Sequence, residues 1–314
     1  MIRADADLVA SLEARDYHPL WTRYQRITPH APRRRDAPML WRWRDFEPFA
    51  ARAATEVPIE DIERRAIIMT NPAFGGETVT TANLIGAFTI LEPGDHARPH
   101  RHTAAAIRFA TRAEGAVTIV NGERCEMHAG DLVLTPPMCW HGHINEGNAR
   151  TVWFDAANMP LVCGLEASFF EPATPENLAK PLTQHAKVRY PGAETRAQLD
   201  TLAADADGSK TLRYINPTTD GAVMATLDCY ATRLRANATT RALRATYSQV
   251  VLVVSGEGES QIGDQRFEWS QHDVLTVPQW TWATHTARSS SAEFFIVSDY
   301  VVMEKLELLR IERG

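Results

Sequence analysis

Two histidines separated by one residue, His100 and His102, carry the first chemistry of this chain, and His141 follows well downstream. In an extended strand, side chains at i and i+2 point to one face, so the first two can share an interior. His141 stands after Pro136-Pro137-Met138-Cys139-Trp140, at the start of another β-type run, and a hairpin-rich sheet can bring it alongside them. Three neutral imidazoles suit borderline divalent metals such as Fe(II), Zn, Mn, Co or Cu. The competing reading is structural: histidines that satisfy hydrogen bonds in a core or sit on a polar surface. Arg108 follows the pair by an even step and can reach the same interior, where a buried guanidinium needs an anion. That anion is either a substrate carboxylate or an internal partner such as Glu114 or Asp155. His143 can support acid–base chemistry because imidazole titrates near neutrality, or it can serve the fold.

Short β-type runs have to position these groups. From about Leu84 they are separated by Pro93-Gly94, Glu114-Gly115, Asn121-Gly122 and Gly130-Asp131, and Asn-Gly is a strong hairpin signal. Many short strands between turns predict an antiparallel, all-β architecture. The pattern occurs twice. EGAVTIVNGERCEMHAGDLVLTPPMCWHGH aligns with GEGESQIGDQRFEWSQHDVLTVPQWTWATH, matching Asp131 with Asp273, Pro136 with Pro278 and His143 with His285. The same register puts Leu243, Ala245 and Ala283 opposite His100, His102 and His141, so the second unit is expected to be metal-free and structural. The expected organisation is an N-terminal cap or oligomerisation segment (1–75), a metal-binding unit (76–162), a connector (163–210), a metal-free unit (211–300) and a C-terminal helix (301–314).

Composition narrows the function classes. The 314 residues carry 33 Lys and Arg against 39 Asp and Glu, a net charge of −6, which argues against a broadly basic nucleic-acid binder. No apolar run approaches the roughly 20 residues that cross a bilayer, and no secretory signal is evident at the start. Cys125, Cys139, Cys163 and Cys229 form no CxxC pair, so a cytoplasmic location is expected. GxGxxG and CxxCH are absent, so nothing suggests NAD, flavin or haem.

The run from Gly94 to His102 resembles the first cupin motif, and GDLVLTPPMCWHGHIN resembles the second, with Gly130, Pro136, His141 and Asn145 in register. Met138 stands where glycine is common. Taken with HRHTAAAIRF and EGAVTIVNGERCEM, the chain resembles the gentisate/salicylate 1,2-dioxygenase family, most strongly from about Arg64 to Val162. The resemblance implies a bicupin: two antiparallel double-stranded β-helix (jelly-roll) barrels with short peripheral helices. It implies Fe(II) held by His100, His102 and His141. Many cupins add a glutamate ligand soon after His-x-His, but Ala106-Ile107-Arg108 offers no carboxylate, which leaves positions for a chelating substrate and dioxygen. It further implies a substrate-carboxylate contact at Arg108, a pocket histidine at His143, a pocket aspartate at Asp155, and a pocket arginine at Arg64 or Arg65, of which register counting from His100 favours Arg64. The family's aromatic–Ala-Gly–hydrophobic–Gln segment corresponds to Ile85-Gly86-Ala87-Phe88-Thr89, so Ile85, Ala87 and Thr89 would line a wall lacking the aromatic ring and the amide.

The expected activity is Fe(II)-dependent, extradiol-type ring opening of an ortho-hydroxylated aromatic carboxylate: gentisate, salicylate or a 5-substituted salicylate. Cleavage would fall between the carboxyl-bearing and neighbouring hydroxyl-bearing carbons. A homo-oligomer is expected, a tetramer in preference to a dimer. The alternatives are a metal-dependent decarboxylase, isomerase or hydrolase using the same histidines, and a non-catalytic metal-bound cupin that senses a small carboxylate.

Overall fold

Turn chemistry divides the chain into short strands, and the computed structural model describes them over residues 6–178 and 187–314. Residues 1–5 and 179–186, the latter inside the expected connector, lie outside the described residues. Residues up to Arg34 form a unit of their own containing α1 (Ala6–Glu13) and α2 (Leu20–Ile27). The second unit begins with β1 (Leu40–Trp41), α3 (Trp43–Glu56), β2 (Ala66–Ile68), β3 (Ile85–Leu91), β4 (His96–His102) and β5 (Ala106–Arg112). It continues through β6 (Ala116–Val120), β7 (Glu123–Glu126), β8 (Leu132–Thr135), β9 (His141–Asn145), β10 (Thr151–Ala157) and α4 (Met159–Gly164). Then come β11 (Phe170–Pro172), α5 (Pro175–Leu178), β12 (Arg189–Tyr190), α6 (Gly192–Thr201) and β13 (Ser209–Arg213). A small hairpin, β14 (Ile215–Asn216) and β15 (Gly221–Ala222), precedes β16 (Asp228–Arg235), β17 (Leu243–Ala245), β18 (Gln249–Ser255) and β19 (Gly258–Ile262). The chain ends with β20 (Gln265–Trp269), β21 (Val274–Val277), β22 (Ala283–Ala287), β23 (Ser291–Ser298), α7 (Tyr300–Lys305) and β24 (Ile311–Arg313).

The duplication read from the sequence governs the strand order. One six-stranded sheet runs β12-β8-β5-β10-β3-β2, and its counterpart runs β1-β21-β18-β23-β16-β13. The five-stranded sheets run β11-β4-β9-β6-β7 and β24-β17-β22-β19-β20. The two six-stranded sheets pack on each other through Phe88, Ile107, Phe109, Phe154, Val250, Leu252, Phe295 and their neighbours, with Phe109 and Phe295 stacked at 4.2 Å. Each also packs its other face on a five-stranded sheet, through Leu91, Val120 and Trp153 in one half and Val251, Trp269 and Phe294 in the other.

This corrects the expectation of two closed jelly-roll barrels. The fold is all-β and cupin-like, but no sheet among the described residues closes on itself or curls into a barrel. The ladders stop at short edge strands, β12, β2, β11 and β7 in the first half, so each half is a pair of open sheets facing across an apolar layer. Short edges are a common way to end a sheet without inviting further pairing.

The edges come from unexpected parts of the chain. The N-terminal segment supplies β1 to the sheet of the C-terminal half, with Leu40 opposite Leu275. The connector supplies β12 to the N-terminal half, with Arg189 opposite Val133. In each case a buried aspartate anchors the start of the following helix. Asp273 accepts from Trp43 N at 2.8 Å, and Asp131 accepts from Gly192 N at 2.7 Å and from Arg189. A carboxylate is favoured there by the unpaired N–H groups and the dipole of a helix N-terminus. The C-terminal segment also differs from a simple helix: α7 stops at Lys305, and Ile311–Arg313 turns back as an edge strand on β17.

Replacing Asp273 with Ala leaves the buried Trp43 N–H unpaired, at a cost of about 1–3 kcal/mol. A urea titration is expected to show a lower midpoint with an unchanged slope.

Candidate metal centre

The pairing of β4 with β9 is irregular where it matters. Ala97 lies opposite His143, but the next register pair is His100 with His141, so β4 carries an extra residue there. A proline cannot give an N–H to a ladder and is tolerated at such a bulge, which accounts for Pro99 inside a strand. The extra residue also changes which side chains point inward, so Ala97, His100 and His102 are all buried while Arg98 and Pro99 are exposed. Across from the bulge, a Cβ on Gly142 would lie 3.2 Å from Ala97 O and 3.3 Å from Pro99 Cγ. Glycine is what permits the two strands to approach here.

The ligand atoms of His100, His102 and His141 lie within 4.8 Å of one another. Each ring is oriented by a carbonyl near its own Cα. Nδ1 of His100 donates to Arg98 O at 3.0 Å, that of His102 to Ala104 O at 2.8 Å, and that of His141 to Cys139 O at 3.0 Å. Those bonds fix the tautomer and leave three Nε2 lone pairs converging, as in metal-ligating histidines generally. Burial, followed by the nearby arginines, pushes His100 down to about 3 and His102 to about 4, and drives His141 well below the usual imidazole range. The rings are therefore neutral at physiological pH, the form that ligates a metal. The donor set fits a divalent ion of the Fe(II) or Zn kind.

The other expected site residues gather on the same inner face. Arg64 Nη2 sits 2.6 Å from His100 Nε2 and 2.7 Å from His141 Nε2. Arg65 points the other way and pairs with Asp95. Arg108 is fully buried; its Nε donates to His143 Nε2 at 3.2 Å, and its Nη1 donates to Thr135 Oγ1. Its Nη2 is buried without a hydrogen-bond partner. Nδ1 of His143 therefore carries the proton and donates to Thr118 Oγ1 at 2.9 Å. Asp155 Oδ1 lies 3.7 Å from Arg108 Nε and accepts from Trp153 Nε1 at 3.1 Å, while Oδ2 accepts from Thr89. Register places Ala87 opposite Asp155, Thr89 opposite Trp153 and Ile85 opposite Ala157, so Ile85, Ala87 and Thr89 share that face. Burial raises the Asp155 carboxyl despite Arg108 and Arg64, and it pulls Arg108 down to about 9.

The C-terminal half provides an internal comparison. Leu243 pairs with Ala283 where His100 pairs with His141. Equivalent registers put Val251 in the place of Arg108, Val277 in that of Thr135 and Ile296 in that of Asp155, all within one apolar cluster. His143 behaves differently. Its counterpart His285 makes the same cross-strand contact, Nδ1 to Ser260 Oγ at 2.7 Å, so this hydrogen bond belongs to the shared fold. What sets His143 apart is Arg108 at its other nitrogen. Sequence reasoning missed Thr118, Thr135 and Trp153; alternation along their strands, counted from Arg108 and His143, could have placed them on the inner face.

Comparison with known proteins follows the same lines. The cupin domain family matches residues 87–157. The chain is 36% identical to a 5-aminosalicylate 1,2-dioxygenase of Comamonas sp, covering 93% of this chain and 86% of that protein. It is 31% identical to gentisate 1,2 dioxygenase 1 of Aquipseudomonas alcaligenes, covering 98% and 96%. The solved salicylate 1,2-dioxygenase of Pseudoaminobacter salicylatoxidans in an adduct with gentisate is 30% identical, with a TM-score of 0.90 over 100% of this chain and 96% of that chain.

The close approach at Gly142 can be tested directly. Gly142→Val is expected to push the bulge of β4 away from β9 and to lower iron content after reconstitution at least tenfold, read by elemental analysis, while far-UV circular dichroism stays close to that of the parent.

Proposed function

Because the chain belongs to the gentisate/salicylate 1,2-dioxygenase family, we propose that this iron-dependent ring-cleaving dioxygenase opens an ortho-hydroxylated benzoate, with gentisate, salicylate and 5-substituted salicylates as the candidate substrates. The observation that carries this reading is Arg108: a fully buried guanidinium with Nη2 left unpartnered, on the same inner face as three converging imidazoles. A buried cation without a full set of partners is costly, and a carboxylate oxygen is a natural acceptor for the corner left open. Two guanidiniums, Arg64 and Arg108, face one carboxylate, Asp155, so the pocket has a positive excess before any metal is counted.

His100, His102 and His141 would hold the iron, which when bound couples an electron-rich ring to dioxygen and removes the spin restriction on their reaction. The protein's own groups do the rest. Arg108 takes the carboxylate oxygen and fixes the ring's orientation. Asp155, held by Trp153 and Thr89, balances part of the arginine charge. His143 holds Arg108 through Nε2, and it acts as an acid–base group toward the ring hydroxyl only by exchanging that contact. Arg64 places the second positive charge beside His100 and His141. Ile85, Ala87 and Thr89 put small or aliphatic side chains on the face shared with Asp155, which is compatible with a 5-substituted salicylate as well as gentisate. Cleavage between the carboxyl-bearing and adjacent hydroxyl-bearing carbons, with both oxygen atoms entering the product, completes the proposal.

A cytoplasmic setting fits a chain in which none of the four cysteines forms a disulfide. A homo-oligomer, a tetramer in preference to a dimer, fits the exposed apolar side chains that follow both short helices: Leu165, Phe169 and Phe170 after α4, and Leu306 and Leu308 after α7.

The deciding experiment is anaerobic Fe(II) loading followed by oxygen uptake and product mass with salicylate, gentisate and 5-aminosalicylate. One oxygen consumed per ring opened is expected. Binding without uptake, or carbon dioxide release without oxygen, would remove the dioxygenase reading. His100→Ala is expected to lose iron and turnover together. Arg108→Leu is expected to raise KM for these carboxylates at least tenfold, with iron content retained.

A further inference from the structure

We propose that Thr135 is a positioning residue for substrate recognition: its hydroxyl fixes the plane of the Arg108 guanidinium so that Nη2 alone is presented to the substrate carboxylate. This rests on the carboxylate-binding reading of Arg108. The guanidinium is a rigid planar fork, so holding two of its corners determines where the third points. Arg108 Nε is held by His143 Nε2 at 3.2 Å, and Nη1 is held by Thr135 Oγ1. Nη2 is the corner left buried and unpartnered. Without the threonine, the fork keeps one fixed corner and can rotate about the Nε contact.

The duplicated half separates this duty from the fold's own requirements. Ala106 lies opposite Thr135 and Arg108 opposite Val133 in one half; Gln249 lies opposite Val277 and Val251 opposite Leu275 in the other. The second half therefore seats a valine where the first has Thr135, and a valine where the first has Arg108. Threonine and valine share a shape and differ in one hydroxyl for one methyl. The strand accommodates valine at this position within a buried apolar cluster, so the hydroxyl answers to Arg108 and not to the β-sheet. Both residues are almost completely buried, Thr135 at 1% exposure and Arg108 at 0%, so the bond between them is made without competition from bulk water.

The test uses the iron-loaded enzyme and steady-state kinetics with a salicylate that the parent turns over. Thr135→Val is expected to raise KM by about 10- to 100-fold, the range associated with losing a hydrogen bond to a charged group. Iron content is expected to remain unchanged. Thr135→Ser, which restores the hydroxyl, is expected to return KM to within about threefold of the parent on the same scale. In an Arg108→Leu background, Thr135→Val is expected to have no further effect on KM, because the group it positions is gone. This double variant also reproduces the apolar pairing of the C-terminal half, so it remains measurable if Thr135→Val alone folds poorly. A Thr135→Val enzyme with parental KM, beside an impaired Arg108→Leu enzyme, overturns the inference and leaves the carboxylate reading standing. An equal loss from Thr135→Val with and without Arg108 also overturns it. Parental KM in Arg108→Leu removes the carboxylate reading and this inference together.

Discussion

The pairing of β4 with β9 across a one-residue bulge is the constraint on which the site depends. A strand alternates its side chains strictly, so Ala97 and His100 can both face inward only if a residue is added between them. Pro99 marks the bulge, the Arg98 carbonyl in it orients the His100 ring, and Gly142 opposite lets the strands close to contact distance. One irregularity thus sets the facing direction of a ligand, the tautomer of its ring and the spacing to the third ligand. The Nδ1 side of each ring is held by a backbone carbonyl, so that part of the arrangement is built into the strands.

The molecule contains its own control. Both halves share strand order, edge-strand additions, a short helix after the last long strand, and even the hydroxyl contact to a buried histidine. They differ where polarity is expensive. Ala283, Val251, Val277 and Ile296 fill one interior with apolar atoms, whereas His141, Arg108, Thr135 and Asp155 occupy the corresponding places in the other, and half-buried Leu243 stands where His100 does. The architecture does not need the polar set, which supports assigning that set to chemistry. The comparison also divides the work of single residues: Trp153 and Phe294 both lay a ring beside the shared histidine, but Trp153 alone can donate a hydrogen bond to a carboxylate.

Much of this was legible before the structure. The histidine pair, the distant His141, the duplicated register and the loss of ligands in the second half follow from alternation and turn residues. Counting from His100 favours Arg64 while leaving Arg65 open; the Arg64 guanidinium lies beside the imidazoles and Arg65 pairs with Asp95. Sheet closure was not legible, because the sequence marks where strands end but not whether the last ladder finds a partner. The expected closed barrels are open, paired sheets. Thr118 and Thr135 were missed because a threonine on a strand carries no mark that separates a packing role from a polar one. The origin of β1 was hidden as well, since a two-residue strand leaves no periodic trace.

That small strand has a consequence for biosynthesis. Leu40 leaves the ribosome early, whereas its hydrogen-bonding partner Leu275 is translated near the end. The N-terminal arm must therefore wait, unpaired, through most of elongation, and the C-terminal sheet cannot acquire its outer edge until the arm returns to it. The connector strand β12 joins a neighbour completed much sooner, Val133 opposite Arg189. The N-terminal half thus has all its strands synthesised well before the C-terminal half does, which staggers the availability of partners for two otherwise matching structures.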